Sequence, residues 1–260
     1  MLHNTPQNSL YKAEKDAIFF LGLLSHMRKY FDKAVIGPDG KFTHRLGLNI
    51  HAVLTDNTSG EVLALRKNGI HKYNNPLLHA EQLTLSEAIK NRNKNNPRNS
   101  KVTTVEEYYR NYLFNNPFSY DALHEGATVY TTLEPCPFCT SALLVSRVKR
   151  IVFILPDNTF GDSFYSLWST YYKKYDVRYE QLKIETGISL ISDKASSFLG
   201  RITNKIKSQN IPATLHFDTM KTELTDVLKY FKSLSENDIK TKGSKKKKLL
   251  QSLSDFNSRL

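Results

Sequence analysis

Apolar positions between residues 9 and 33 recur at helical spacing. Phe20, Leu23, Leu24, Met27, Tyr30 and Phe31 fall near one face, which predicts an amphipathic helix. The period then shortens. "LGLNIHAVLTD" (46–56) reads as a strand, "NTSG" (57–60) as a turn and "EVLALRKN" (61–68) as the returning strand of a hairpin. Beyond Pro76 the helical spacing returns through Ala80, Leu83, Leu85, Ala88 and Ile89, so a helix is expected over about 78–92. A basic, asparagine-rich stretch at 90–101 reads as an exposed loop, and "VEEYYRNYLF" (105–114) as a further helix. The pattern next alternates: strand 127–133, helix 137–148, buried strand 150–155, helix 163–174, strand 177–184. Strands separated by helices need crossover connections and a sheet covered on both faces, which sets the class as α/β. A helix is expected over about 188–207 and an amphipathic one over 217–235, where Met220, Leu224, Val227 and Phe231 recur. A polar linker and the run Lys245 to Lys248 follow.

Composition narrows this picture. A hydrophobic share of 40% and 11% aromatic residues suffice for a sizeable core in a chain of 260 residues, which excludes a disordered protein. The apolar run "AIFFLGLL" (17–24) is too short to span a bilayer, and the mixed charges of "YKAEKD" before it do not suit a secretion signal. The expectation is therefore no membrane partner. Charge points elsewhere: 37 Lys and Arg against 25 Asp and Glu leave +12, which draws a protein towards polyanions. Residues 201–260 hold 13 basic against 6 acidic side chains, so +7 of that excess is peripheral.

The two cysteines, Cys136 and Cys139, are too close in sequence for the disulfide framework of a secreted domain, so a cytoplasmic location is expected. If Pro137 and Phe138 open a helix, their spacing puts both sulfurs on one face. The helix N-terminus there favours thiolate, the form a metal binds. Two sulfurs leave a catalytic zinc one protein ligand short, and His79 in "NPLLHAEQL" is the candidate third; Glu81, two residues on, lies near without having to bind. Alone, each motif has a plainer reading. A C-x-x-C is often a structural half-site or a redox pair, and an acid at a helix start merely complements the dipole. Together, H-x-E followed by P-C-x-x-C, each opening a helix, is the arrangement of zinc-dependent base deaminases.

On these residues, with "TVYTTLEPCPFCTSALLVSRVKRIVF" as the longest matching phrase, the region from Leu46 to Arg201 resembles the cytidine/deoxycytidylate deaminase superfamily. It is most similar to the branch of tRNA-adenosine and guanine deaminases. The resemblance implies a three-layer α/β/α fold with a central mixed five-stranded sheet. It implies one zinc held by His79, Cys136 and Cys139, and Glu81 as the proton shuttle for a zinc-bound hydroxide that displaces ammonia from a base. Asn68, eleven residues before His79, matches a base-contacting asparagine, Pro76 matches a proline three residues before the histidine, and the Ala80 backbone N–H is a further base contact. Glu134 is expected to shape the turn before Cys136. His44, His51, His71 and His124 have no assignable partner in the sequence.

The division expected is an N-terminal helical extension (1–45), a deaminase domain (46–207) and a helical extension with a Lys-rich tail (208–260). The domain carries an insertion at about 91–122, because 57 positions separate His79 from Cys136 where the tRNA enzymes have about half that. The implied substrate is a purine or pyrimidine base, a nucleoside or tRNA. Nucleic acid could be gripped by the loop 90–101 and the Lys-rich tail, and the resemblance implies a homodimer. The competing reading is a non-catalytic subunit or RNA-binding module with a structural zinc, although such partners would be expected to lack the shuttle glutamate.

Overall fold

The computed structural model describes residues 6–32, 34–36, 38–39, 42–45, 48–94, 126–157, 159–167, 178–181 and 221–260. The expected helices at 105–114 and 188–207, and the basic loop from residue 95 on, lie outside them. The chain opens with α1 (Pro6–Lys29), followed by a two-stranded antiparallel ribbon, β1 (Ala34–Ile36) and β2 (Phe42–Arg45), that the sequence pattern did not suggest. The hairpin follows as β3 (His51–Asp56) and β4 (Val62–Lys67), then the short α2 (Ile70–Tyr73) and α3 (Ala80–Lys94). The alternating half is β5 (Ala127–Leu133), α4 (Pro137–Val145), β6 (Arg150–Leu155), α5 (Ser163–Leu167) and β7 (Arg178–Gln181). α6 (Lys221–Ser233), a 3₁₀ turn (Glu236–Asp238) and α7 (Gly243–Arg259) complete the described elements.

Among the described residues five strands form one mixed sheet in the order β4-β3-β5-β6-β7. β3 pairs antiparallel with β4 and β5, whereas β5, β6 and β7 run parallel, as their helical connections require. Every residue of β5 and β6 is buried, which accounts for their unbroken apolar and β-branched runs. Alternation divides the side chains between two faces. Ala127, Val129 and Ile151 join Leu85 and Ala88 of α3 and Leu143 and Leu144 of α4 in one cluster. Val53, Tyr130 and Val152 join α1, α6 and α7 in the other. The result is helix, sheet, helix: a three-layer α/β/α protein.

α1 is not a half-exposed amphipathic helix. Residues 14–27 are buried without a break, because α6 and α7 cover the side that the sheet leaves open. Its buried acids and His26 are therefore matched one by one, as buried polar groups usually are, while Ser25 Oγ is left without a hydrogen-bond partner. Glu14 accepts hydrogen bonds from the backbone N–H of Lys240 (2.7 Å) and Thr241 (2.9 Å), which fixes the approach to α7. Asp16 accepts from Arg150 Nη2 (2.7 Å) and Tyr130 Oη (2.8 Å). His26 Nδ1 lies 2.9 Å from His51 Nδ1, giving His51 a partner the sequence did not reveal.

α7 is an anchored helix, with Leu249, Leu253 and Phe256 in the core. Ser252 donates to the Gly60 carbonyl, Asp255 accepts from Val62 N–H at 2.9 Å, and Arg259 Nη2 donates to Val62 O at 2.8 Å. The run Lys245–Lys248 thus forms its opening turns and is carried on a fixed support. Among the described residues no helix is long and apolar enough to cross a membrane.

Candidate active site

The site lies where the N-termini of α3 and α4 meet at one end of β5, on the sheet face they cover. His79 sits just before α3 and caps it with its carbonyl, which accepts from Leu83 N–H (3.0 Å). Ala80, with no exposed surface, begins the helix. Thr84 fastens that turn to the sheet by donating to Ala52 O (3.1 Å) and Ala80 O (2.7 Å). Cys136 is the extended N-cap of α4, Pro137 occupies the first helical position, and Cys139 is buried one turn on. Thr140 locks the turn by donating to Pro135 O (3.1 Å).

This local geometry gathers three candidate ligands from distant parts of the chain. One ligand atom each of His79, Cys136 and Cys139 lie within 4.8 Å of one another. His79 Nδ1 is 3.7 Å from Cys136 Sγ. The sulfur of Cys136 is held down to about 4, first by the hydrogen bond from Cys139 and against the opposing effect of burial; His79 also contributes. The same bond, reinforced by burial, pushes Cys139 up. His79 is raised, chiefly by its bond to Cys136. A divalent cation bound by these three groups would displace the protons they share. One nitrogen and two sulfurs form a zinc donor set, and three protein ligands leave a position for water.

Glu81 is buried at 3% exposure next to this cluster. Its Oε2 accepts from Cys139 Sγ at 3.4 Å and its Oε1 from Thr131 Oγ1 at 3.1 Å. Burial raises the proton affinity of its carboxyl. Thr131 was missed by the sequence reading. The signal available was a hydroxyl in the strand row Ala127, Val129, Thr131, Leu133, whose other members are apolar.

Asn68, at the end of β4, is 1% exposed. The Gly69 N–H donates to Leu78 O (2.8 Å), which ties this corner to the residue before His79. Asn68 Oδ1 accepts from Ile70 N–H (3.0 Å), while its buried Nδ2 has no hydrogen-bond partner. Glu134 accepts from Asp157 N–H (3.0 Å) and Asp162 N–H (3.1 Å), tying both residues to the turn before Cys136. The exposed Phe138 ring meets His79 edge-on, with centroids 5.7 Å apart.

Residues 38–155 match the family described as "Cytidine and deoxycytidylate deaminase zinc-binding region". The chain is 23% identical over 181 residues to a tRNA-specific adenosine deaminase of Aquifex aeolicus, covering 69% of this chain and 98% of that one. A second tRNA-specific adenosine deaminase, from Rickettsia felis, is 29% identical over 112 residues, covering 43% of this chain and 59% of its own. Among solved structures, one from a study of tRNA:A34 deaminases aligns with 21% identity and a TM-score of 0.37, over 52% of this chain and 82% of that one. A guanine deaminase from Bacillus subtilis aligns with 21% identity and a TM-score of 0.32, over 55% and 77%. Residues 38–155 are thus similar to the zinc-binding region of the cytidine and deoxycytidylate deaminases.

Proposed function

We propose that the chain hydrolytically deaminates a nucleic-acid base, with adenosine in tRNA as the leading substrate. The observation that carries the chemistry is the buried Glu81, hydrogen-bonded to Thr131 and Cys139 beside the His79, Cys136 and Cys139 cluster. These three residues would hold zinc, whose Lewis acidity brings the pKa of a water towards neutrality. Glu81 takes the proton of the attacking water and delivers it to the ring nitrogen next to the amine-bearing carbon. The water oxygen bonds to that carbon; Glu81 then carries the remaining proton of the new hydroxyl to the amine, the C–N bond breaks, and ammonia leaves a carbonyl behind while the first proton stays on the ring nitrogen. A carboxyl whose proton affinity burial has raised is suited to both accepting and releasing a proton at neutral pH.

Asn68 Nδ2 is a buried donor with no protein partner, and we assign it to a base acceptor. The N–H of Ala80, in the first turn of α3, has no intrahelical acceptor and serves as a second contact. Two features favour a base carried in RNA over a free base: the tRNA-specific relatives, and the lysine cluster of α7. Lys240, Lys242 and Lys245–Lys248 crowd the start of a helix whose first turn has no acid, so the dipole adds to their field. No large apolar side chain is exposed beside them among the described residues, which suits a phosphate backbone better than a lipid surface. We further propose a cytoplasmic homodimer, built from an N-terminal extension (1–45), a deaminase domain (46–207) and a C-terminal extension (208–260).

Glu81→Gln tests the chemistry. Zinc should remain at one per chain while inosine formation in tRNA, read by mass spectrometry, falls by at least about 100-fold. Full activity in that variant overturns the reading. A zinc-loaded wild-type protein inert on tRNA and on guanine, adenosine, cytosine and cytidine would instead support a non-catalytic RNA-binding subunit. For the lysine cluster, Lys242→Gln/Lys245→Gln/Lys247→Gln should weaken tRNA binding and reduce the slope of log affinity against log salt by about 0.7–0.9 for each phosphate no longer neutralised. An unchanged slope removes the cluster from the interface.

A further inference from the structure

We infer that Thr131 is a positioning residue for Glu81: it fastens Oε1 and leaves Oε2 as the oxygen that carries the proton. The inference rests on the deaminase reading of this pocket. The two side-chain donors to Glu81 are Thr131 Oγ1 at 3.1 Å and Cys139 Sγ at 3.4 Å. They are not equivalent. A cysteine that ligates zinc does so as thiolate and has no proton to donate. The bond to Oε2 is therefore absent whenever the cluster is loaded, whereas the hydroxyl of Thr131 keeps its proton. Among the described residues Thr131 is then the remaining side-chain donor to this carboxyl.

Its placement suits that task. Thr131 has no exposed surface and sits in a strand paired on both sides, opposite Ala52 of β3 and Phe153 of β6. Three strands fix its backbone, and a β-branched side chain adds a stiff χ1. A hydroxyl buried without a partner costs free energy, and Glu81 Oε1 is the acceptor it faces. Thr131 anchors Oε1 from the sheet, in addition to the hydrogen bond that the carboxyl takes from its own backbone N–H, and the group can pivot about that anchored oxygen. A proton shuttle must do that when it takes a proton from water and gives it first to a ring nitrogen and then to an amine.

Thr131→Val removes the hydroxyl at nearly constant shape, and Thr131→Ser restores it. With zinc verified at one per chain, the valine variant should keep KM within about twofold while kcat falls on the order of 10- to 100-fold, the scale of a misplaced catalytic group. The serine variant should recover most of that loss. Crystals of the zinc-loaded valine variant should show the Glu81 carboxyl in more than one orientation. Wild-type kcat in the valine variant, no recovery with serine, or loss of zinc overturns the inference. Glu81→Gln assayed in parallel separates the two claims: if it is inactive and Thr131→Val is fully active, the positioning role alone fails. If Glu81→Gln is fully active, the deaminase reading itself fails.

Discussion

Gly161 has no room for a side chain. A Cβ there would collide with Asp157 O and lie 2.6 Å from Glu134 Oε2, in the carboxylate that also holds the Asp157 and Asp162 N–H groups. Gly161→Ala must therefore displace the loop or Glu134. We expect a loss of about 1–3 kcal/mol, the usual range for overpacking, measured by denaturant unfolding. Because Glu134 immediately precedes Pro135 and Cys136, zinc retention under chelator challenge should fall in the same variant. At this scale the sequence was legible wherever chemistry is carried by spacing. His-x-Glu and Pro-Cys-x-x-Cys each put their side chains on one turn, and one zinc needs both turns. Thr131 was not legible, because its partner lies 50 positions away and only the pairing of β5 against α3 brings them together.

Elements show a different boundary. β5 and β6 run over the residues that their β-branched runs predict, and α3 and α4 begin within two residues of expectation. The environment of α1 could not be read in the same way. Its spacing shows a face, but the covering of the opposite face depends on α6 and α7, some 200 positions later. That approach is close at Gly22, where a Cβ would stand 2.7 Å from Phe256 Cδ1. Gly22→Ala should push α7 away from α1 and lower the unfolding midpoint, although alanine is the better helix former. A Phe256→Leu change in the same chain should recover part of the loss. Recovery is the decisive reading, since a propensity effect alone would raise stability.

At the scale of the whole molecule, pH acts through the histidine pair between α1 and β3. Burial lowers His51 well below its ordinary value and lowers His26 to about 3, with Lys29 and Lys67 adding to the effect on His26. The unfolded chain binds protons at about 6.5 that the folded one refuses. The stability they contribute is therefore present above pH 6.5 and is lost as the pH falls, by up to about 1.4 kcal/mol per pH unit for each histidine. Denaturant midpoints measured from pH 7 to 4.5 should show this slope, and His26→Gln/His51→Gln should flatten it. The folded chain should come apart in mild acid at the α1 layer, the one that the sequence alone would have assigned to an appendage.

One consequence of α7 concerns what the molecule avoids. Among the described residues β4 is one of the two border strands of the sheet, and borders present a template on which another chain can add a strand. α7 occupies both the N–H and the carbonyl of Val62, through Asp255 and Arg259. It works there as a guard against runaway strand addition. A chain cut before the 3₁₀ turn at Glu236 should uncover that border together with the apolar flank of α1. It should accumulate as insoluble, β-rich aggregate even with every residue of the pocket intact.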